Sequence, residues 1–319
     1  MSKLVSFIIP HKGREEMLLQ TVESIFRLDA DPRGVEVIIV TQNKELSKAS
    51  NLLNKQVDLQ VIHADSDLTI SALRNIGAQK ADGNCFAFLD ADVELSSNWL
   101  SIMTRLLQEN PQRKLVSGMQ VNGRNAPILE QIRTILSNAE LDCNVNFLPG
   151  RNLFLDRKTF VQVGGFPEHL ATCEDYYFTE KVHELGELYY SSKTNYIHLG
   201  EDKEFGQLFK KEIWRAKSNL QSIKGRRIPL REIPSFLVPP AILLCSIFAL
   251  ISLFIGYVIC GILFLLSSLL PVFVYGLRLY DLANKKIPFI SILKFYLVYF
   301  FARAYGTLSG IAKFSSGKS

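Results

Sequence analysis

The fold is decided by residues 85–92, Cys-Phe-Ala-Phe-Leu-Asp-Ala-Asp, in which a short apolar run ends on two carboxylates. An apolar run of this length is typical of a strand buried in a parallel sheet. Asp90 and Asp92, two positions apart at a strand end, point to the same side. Hard oxygen ligands at such a place suit Mg²⁺ or Mn²⁺ bridging to phosphate oxygens, whereas a polar turn with a helix N-cap is the plainer alternative. Their position directly after a strand favours the metal site.

Further apolar runs on both sides of this stretch predict the other strands of a sheet, at 4–9, 35–40, 59–63 and 115–120. Amphipathic stretches between them predict helices near 15–28, 71–79 and 97–108. Strands that alternate with helices indicate an α/β fold with a mostly parallel, doubly wound sheet. Ligands of such sheets bind beyond the carboxyl ends of the strands. Candidate site residues are therefore the polar ones that follow each strand, at 11–14, 41–43, 65–67 and 90–92.

The C-terminal part contains no charged residue from Pro234 to Leu277. As helix this run is about 65 Å long, enough for two crossings of a bilayer core of about 30 Å. We expect a transmembrane hairpin over about 236–277, with a buried hairpin of a soluble core as the alternative. Basic residues flank it at both outer ends, which predicts an inner-membrane protein with its globular domain in the cytoplasm; these residues are Lys224, Arg226, Arg227, Arg231, Arg278, Lys285 and Lys286. A third apolar segment, 287–305, carries two cations and fits either an interfacial or a spanning helix.

Composition excludes several classes of protein. Of 319 residues, 48% are hydrophobic and 21% are charged, which excludes a disordered chain. The positive net charge of +5 comes from the C-terminal part, because the chain beyond residue 233 contains seven basic side chains and a single acidic one, Asp281. This distribution predicts attraction to anionic membrane lipids and argues against nucleic acid as a partner. Five scattered cysteines without a Cys-x-x-Cys pair indicate a reducing compartment.

Three further motifs surround the Asp-x-Asp stretch. They are Val-Ser-Phe-Ile-Ile-Pro at 5–10, Ser-Ala-Leu-Arg-Asn-Ile-Gly at 71–77, and Val-Gly-Gly-Phe-Pro at 163–167 followed by Cys-Glu-Asp-Tyr-Tyr at 173–177. In this order and spacing they closely resemble family 2 glycosyltransferases, whose nucleotide-sugar-binding domain has the GT-A fold. The resemblance covers about residues 4–220. It implies a GT-A domain at 1–225, and the apolar tail adds a membrane-anchor region at 226–319.

The resemblance implies transfer of a sugar from a nucleotide-diphosphate donor to an acceptor hydroxyl, with inversion and with Mn²⁺ or Mg²⁺ as cofactor. We expect a UDP-sugar as donor and a hexosyl or N-acetylhexosaminyl group as the sugar. The membrane anchor suggests a lipid-linked or saccharide acceptor, in cell-surface polysaccharide or glycolipid synthesis, because anchoring raises the enzyme's effective concentration near such an acceptor.

The resemblance also assigns roles to residues. Asp175 is the expected general base, and Glu174 and Gly165 are expected to bind the acceptor. Asp92 and His198 are the expected metal ligands. A carboxylate suits the role of general base, because a half-buried site can raise its pKa toward neutrality. An acidic first helical turn explains the Glu-Asp pair equally well. The nucleotide sugar is assigned to Pro10, His11, Arg14, Gln42, Asp65, Arg74, Asp90 and Asp92.

Some of these assignments have a structural alternative. His198 could be a satisfied polar group, and the loop at 10–14 could be a polar turn instead of a phosphate contact. Lys211 and Arg215 could hold the diphosphate or belong to a basic interfacial helix. The residues at 41–43, Thr-Gln-Asn, replace the acidic pair with which family members commonly bind the base. Uracil would then be bound through an amide such as that of Gln42, or through Asp65 or Asp67.

Two other functions fit part of the pattern. A membrane-bound scaffold that binds nucleotide sugar without turnover is favoured only by the altered loop at 41–43. A sugar-phosphate nucleotidyltransferase needs a glycine-rich first loop, whereas residues 10–16 contain one glycine. The Gln-x-x-Arg-Trp signature of processive polysaccharide synthases is absent, which favours an enzyme that adds a single sugar. The tail at 312–319 imitates a phosphate-binding loop, but no strand precedes it.

Overall fold

The structure is a computed structural model that describes residues 4–46, 57–217 and 233–315. The chain divides into two compact units, Met1–Arg124 with Glu140–Gly200, and Asn125–Ala139 with Glu201–Ser319. The predicted domain boundary at 225 and the basic residues Lys224, Arg226, Arg227 and Arg231 lie outside the described residues. They stay predictions, as does the interpretation of the tail that ends at Ser319.

One sheet of nine described strands forms the centre of the first unit. The strands are β1 Val5–His11, β2 Val35–Thr41, β3 Asp58–His63, β4 Cys85–Leu89, β5 Val93–Leu95, β6 Arg113–Val121, β7 Cys143–Val145, β8 Asn152–Asp156 and β9 Glu187–His198. Their order is β3-β2-β1-β4-β8-β6-β9-β5, and β7 pairs with β9. Strands β3, β2, β1 and β4 are parallel to one another, as are β6 and β9, and the remaining pairings are antiparallel.

The five predicted strands are present. Three of them, β1, β2 and β4, have apolar runs that are buried on both faces of the sheet, whereas β3 at the edge is only partly buried. In β1 every residue is buried, and Phe7, Ile8 and Ile9 are fully inaccessible. Burial of apolar area on both faces favours such a central strand by roughly 25 cal/mol per Å². Strand β1 continues through Pro10 and His11, so these two residues lie in the strand and not in the predicted loop. The predicted α/β fold is confirmed, and the sheet is mixed.

The helices of the first unit lie against the two faces of this sheet. They are α1 Glu15–Phe26, α2 Ile70–Lys80, α3 Trp99–Glu109, α5 Arg157–Val163 and α6 Glu174–His183. Helix α2 begins at Thr69, whose side chain accepts a hydrogen bond from the Ala72 amide. It approaches β1 so closely that a Cβ at Gly77 would lie 2.5 Å from Ile8 Cγ2. Gly77, the last residue of the Ser-Ala-Leu-Arg-Asn-Ile-Gly motif, therefore allows the helix to pack closely against the sheet.

The second unit is helical. Its helices are α4 Ile128–Ser137, α7 Phe205–Lys217, α8 Ile233–Ile255, α9 Val258–Leu282 and α10 Phe289–Ser315. An apolar cluster joins them, with Ile132, Leu208, Ile242, Leu279 and Phe295 among its members.

Three of these helices are long and apolar enough to cross a membrane. The mean hydropathy is 2.5 for α8 and 2.4 for α9, and most of their apolar side chains are exposed. They meet at Gly256, whose φ of +94° favours glycine. The two helices of the expected hairpin are therefore present. The third, α10, has a mean hydropathy of 1.2 and is buried to a larger extent.

Candidate active site

Asp90 and Asp92 occupy the turn between β4 and β5, at the carboxyl end of the central parallel strands. The Asp90 amide donates to the Arg151 carbonyl at 3.0 Å, and the Asp92 carbonyl accepts from the Leu199 amide at 2.8 Å. The backbone on both sides therefore fixes this turn, and its two carboxylates are held in place before any ligand binds.

Arg74 of α2 is the centre of the site. Its side chain is 1% exposed, and it donates to Asp90 Oδ1 at 2.9 Å and to Glu174 Oε1 at 3.0 Å. It also donates to the Gly150 carbonyl at 3.3 Å, and its guanidinium lies 4.9 Å from the centre of the Phe166 ring. Burial lowers the pKa of Arg74, but the carboxylates of Asp90 and Glu174 hold it above its ordinary value. A single buried cation therefore connects the Asp-x-Asp turn to the start of α6.

Asn75, the next residue of α2, holds the Gly-Gly-Phe loop. Its Oδ1 accepts from the Phe166 amide at 2.9 Å, and its Nδ2 donates to the Phe166 carbonyl at 2.9 Å and to Glu168 Oε1 at 2.8 Å. A Cβ at Gly165, where φ is +81°, would lie 2.8 Å from Asn75 Oδ1. Glycine is thus required there by conformation and by space. The Arg-Asn-x-Gly and Gly-Gly-Phe motifs are two parts of one structure.

Glu174 and Asp175 form the first turn of α6, which follows Cys173 in a left-handed conformation with φ +62°. Burial, followed by the charge of Asp175, raises the pKa of Glu174 to about 6, and Arg74 limits this rise. Asp175 Oδ2 accepts from the Gly150 amide at 3.2 Å. Asp175 thus has a fixed carboxylate beside the buried Arg74–Glu174 pair.

Asp92 lies between His198 at the end of β9 and Arg14 before α1. His198 Nε2 is 3.4 Å from Asp92 Oδ1, and Arg14 Nη2 donates to Asp92 Oδ2 at 2.9 Å. Gly200 packs directly against Asp92 and Arg14 and leaves no room for a Cβ. Burial alone would raise the pKa of Asp92, but the hydrogen bond and charge of His198, with Arg14, bring that pKa below its usual range. Asp92 is therefore held as a carboxylate.

Burial raises the pKa of the neighbouring Asp90, and the charge of Asp92 adds to this effect while Arg74 opposes it. The two carboxylates of the motif therefore differ in their electrostatic environment. Asp90 faces a permanent cation, whereas Asp92 faces a histidine and a half-exposed arginine. This difference fits the separate roles expected for them.

The donor set of Asp92 and His198 can be compared with what a divalent ion requires. They offer one carboxylate oxygen and one imidazole nitrogen on adjacent strand ends. Within residues 4–46, 57–217 and 233–315 there is no group of three His, Cys, Asp or Glu side chains that could hold an ion by themselves. Mg²⁺ is commonly bound through one or two carboxylates together with substrate phosphates. The pair therefore fits Mn²⁺ or Mg²⁺ that binds with a diphosphate.

The residues expected near the base surround the ends of β1, β2 and β3. His11 is 2% exposed, its Nδ1 contacts Thr41 Oγ1 at 2.8 Å, and burial lowers its pKa. Its Nε2 has no hydrogen-bond partner in the part of the chain that the structure describes. The Gln42 side-chain amide donates to the carbonyls of Asp65 at 2.7 Å and Leu68 at 3.0 Å. Gln42 therefore organises the turn that contains Asp65, which is exposed.

The two expected diphosphate ligands belong to the second unit, and both have acidic partners there. Lys211 Nζ lies 2.7 Å from Asp202 Oδ1, and Arg215 Nη1 donates to Glu212 Oε1 at 2.6 Å. Glu212 is fully buried, and it also accepts from Arg303 of α10 at 2.7 Å. Burial raises the pKa of Glu212, but Arg303, Arg215 and Arg133 bring it below its usual range. These contacts connect α7 with α10.

Arg151 is a site residue that sequence reasoning missed. Its carbonyl binds the Asp90 amide, its guanidinium donates to Gln120 Oε1, and its charge acts on both Asp90 and Asp92. Gly150, the residue before it, binds both Arg74 and Asp175. The only signal in the sequence is a Gly-Arg pair directly before the apolar run of β8.

Comparison with known proteins gives related sequences and a related structure. Residues 6–164 match the family model described as Glycosyl transferase family 2. Glycosyltransferase AglE of Haloferax volcanii is 23% identical over 237 residues, which cover 72% of this chain and 77% of that protein. An uncharacterized glycosyltransferase of Rickettsia bellii is 31% identical over 108 residues, which cover 33% of this chain and 15% of that protein.

Among solved structures, the mannosyltransferase PcManGT from Pyrobaculum calidifontis, in complex with GDP-Man and Mn²⁺, is similar with a TM-score of 0.63. The alignment covers 97% of this chain and 88% of that chain at 13% identity. Likeness at this identity concerns the fold alone. It confirms the expected GT-A-like architecture.

Proposed function

Because the chain belongs to glycosyl transferase family 2, we propose that it transfers a sugar from a nucleotide-diphosphate sugar to an acceptor hydroxyl, with inversion at the anomeric carbon. The observation that carries this proposal is the position of Arg74 between Asp90, on the donor side, and Glu174, on the acceptor side. The buried Arg74 guanidinium holds the Asp90 carboxylate and the start of α6 close together, so that one sugar can reach both.

Asp175 is the general base in this proposal. Its carboxylate, oriented by the Gly150 amide, accepts the proton of the acceptor hydroxyl as that oxygen attacks the anomeric carbon. The bond between the anomeric carbon and the donor phosphate breaks in the same step, and the electron pair leaves with the nucleoside diphosphate. Glu174 is bound to Arg74, so Glu174 and Gly165 form the acceptor side instead of serving as base.

Asp92 and His198 would hold Mn²⁺ or Mg²⁺. The ion, when bound, neutralises charge on the diphosphate leaving group. Arg14 donates to Asp92 and is half exposed, so it orients this carboxylate and is near enough to meet a phosphate oxygen. Asp90 stays paired with Arg74 and contacts the nucleotide.

For the donor we propose a UDP-sugar that carries a hexosyl or N-acetylhexosaminyl group. His11 Nε2 supports a base or ribose contact, because an unpaired buried nitrogen is costly unless a ligand satisfies it. Pro10, Gln42 and Asp65 shape the same end of the sheet. PcManGT is in complex with GDP-Man, so a test of donors has to include both nucleotides.

We also propose that α8 and α9 cross the inner membrane as a hairpin, with the catalytic domain on the cytoplasmic side. The acceptor is then a lipid-linked saccharide in polysaccharide or glycolipid synthesis. Helix α7 is proposed as a basic interfacial helix, since Lys211 and Arg215 have acidic partners while Phe209 and Trp214 are exposed. Exposed aromatic and basic residues together are typical of helices at a membrane surface.

Helix α10 stays on the cytoplasmic side in this proposal. Its two central cations bind α7, because Arg303 pairs with Glu212 and Lys294 lies 4.5 Å from the centre of the Phe205 ring. A Cβ at Gly306 would lie 2.6 Å from the Ile213 carbonyl, so the two helices are in direct backbone contact. The strongly charged α7 cannot enter hydrocarbon without a large free-energy cost. A helix that packs along it remains at the interface.

The test is a nucleotide-release assay on the purified full-length protein with UDP- and GDP-sugars, Mn²⁺ or Mg²⁺, and a membrane lipid extract. We expect release with one donor only, dependent on both metal and lipid. The anomeric configuration of the product, measured by NMR coupling constants, tests inversion. Binding of a donor without release under any condition would favour the scaffold instead.

A further inference from the structure

The second unit contains a cavity of about 290 Å³ between α4, α9 and α10. Arg133 and Arg278 line it together with three tyrosines, Tyr275, Tyr296 and Tyr299. Its volume is near the lower end of ligand sites, about 300 Å³. The cavity can therefore take a small polar headgroup and the first part of an attached chain.

Arg278 is exposed and pairs with no carboxylate in the described part of the chain. None of the three tyrosine hydroxyls has a hydrogen-bond partner among the described residues either. Yet Tyr296 is only 6% exposed, and its ring packs between those of Tyr275 and Tyr299 at 5.7 and 6.4 Å. Polar groups that converge on a cavity without partners are typical of a binding site.

The second arginine of the cavity, Arg133, belongs to a buried ion cluster. It lies 3.4 Å from Glu201 and 3.8 Å from Glu212, and Glu212 also binds Arg215 and Arg303. Three arginines thus share two glutamates beside the cavity. With Arg278 added, the cavity favours an anion, and planar guanidinium groups together with hydroxyl donors suit phosphate.

The position of Arg278 in the chain gives the depth of the cavity. It is the first charged residue after the uncharged run from Pro234 to Leu277, at the end of the membrane hairpin. Such a residue lies at the level of the lipid headgroups. Apolar side chains of α9 and α10, Leu282 and Phe295, line the same cavity. A phosphate at its mouth could therefore stay attached to a chain that continues into the bilayer.

From these observations we propose that the cavity binds the phosphate headgroup of a membrane lipid, with Arg278 and Arg133 as cationic contacts and the tyrosine hydroxyls as hydrogen-bond donors. The site is a feature of the helical unit, and its occupation does not depend on the proposed sugar transfer.

The test measures binding by the full-length protein in a neutral detergent, without any sugar donor. Four probes are titrated in parallel: a polyisoprenyl phosphate, the corresponding polyisoprenol, a short-chain phosphatidylglycerol and inorganic phosphate. We expect at least one phosphate-bearing lipid to bind at least tenfold more tightly than the alcohol and inorganic phosphate. The lipid arms show whether an isoprenoid or a glycerol lipid is preferred, and both outcomes support a lipid phosphate site.

Variants locate the binding. Arg278→Gln, at an exposed position, is expected to weaken the preferred lipid about tenfold. Tyr275→Phe, which removes only a hydroxyl, is expected to weaken it severalfold. Lys286→Gln is the matched control, because Lys286 is an exposed cation just beyond the same helix that does not line the cavity.

Equal losses for Arg278→Gln and Lys286→Gln would overturn the proposal in favour of nonspecific attraction to basic residues. Equal affinity for the alcohol and the phosphate would overturn it as well, and so would inorganic phosphate that binds as tightly as any lipid. Thermal unfolding of each variant shows that the fold is retained, so a loss of binding can be assigned to the site.

Discussion

His198 Nε2 lies 3.4 Å from Asp92 Oδ1, although the two residues are far apart in the sequence. The antiparallel pairing of β5 with β9 brings them together, because Val93, next to Asp92, lies opposite His198. Each of the two side chains is 11% exposed. The nitrogen and the oxygen proposed to bind the metal are thus side by side at the edge where phosphate is expected to bind.

His198→Ala should raise the concentration of Mn²⁺ needed for donor binding by about tenfold or more, since one of the two proposed protein ligands is lost. Isothermal titration of a nucleotide sugar at a series of metal concentrations measures this. Asp92→Asn should have a larger effect, because the carboxylate charge is lost too.

His183→Ala is the matched control, because His183 is exposed at the end of α6 and, among the described residues, its ring hydrogen-bonds to the Gly186 carbonyl and not to any site residue. Metal-dependent donor binding that survives unchanged in Asp92→Asn would show that the ion binds elsewhere. Chelation of the metal should abolish donor binding by the wild type, and added Mn²⁺ should restore it.

Arg74→Met should destabilise the fold by about 3–5 kcal/mol, because it leaves the buried carboxylates of Asp90 and Glu174 without their cation. Urea unfolding measures this change. Arg27→Met is the control, since Arg27 pairs with Glu94 at the surface and such a pair contributes about 0–1 kcal/mol. Similar losses for the two variants would contradict the central position of Arg74.

Glu174→Gln gives a pH-dependent test. The folded protein raises the pKa of Glu174 from 4.5 to about 6, so it holds the proton more tightly than the unfolded chain does. The wild type therefore loses stability as pH rises through this window, whereas glutamine does not titrate. The free energy of unfolding of the variant relative to wild type should increase by about 2 kcal/mol between about pH 4 and about pH 8. A difference that does not vary with pH would exclude the raised pKa.

Reporter fusions test the proposed membrane topology. Two crossings return the chain to its starting side, so a reporter after Ser319 should be cytoplasmic. A reporter fused at Gly256, in the turn between α8 and α9, should be on the far side and serves as the control. A far-side signal from the C-terminal fusion would mean that α10 crosses the membrane and that its pairing with α7 is wrong.

Much of the sheet could be predicted because β1, β2 and β4 are buried on both faces and therefore have nearly continuous apolar sequences. Most of strand β9 could not be predicted. It contains polar residues and has irregular register against β6, so neither alternation nor a continuous apolar run is visible. Strand β5, with three residues, is too short to give a pattern.

The placement of candidate residues was predictable where one motif supplies them, as for Asp90, Asp92 and Arg74, whose roles stay predictions. It was not predictable where pairing depends on distant segments. The contacts of Arg151 and the hydrogen bonds between Asn75 and Phe166 depend on the packing of distant segments, which no local sequence pattern describes. For the same reason the sequence left α10 undecided, since the partner of Arg303 lies on α7.

The most direct test of the central claim compares nucleoside diphosphate release by wild type and Asp175→Asn, with the same donor, metal and lipid extract. Loss of a general base should lower the rate by about 10²–10⁴-fold, while donor affinity measured by titration stays unchanged. Glu174→Gln is the neighbouring control and should retain more transfer than Asp175→Asn. Release by Asp175→Asn at the wild-type rate would contradict the assignment of the base and, with it, the proposed mechanism.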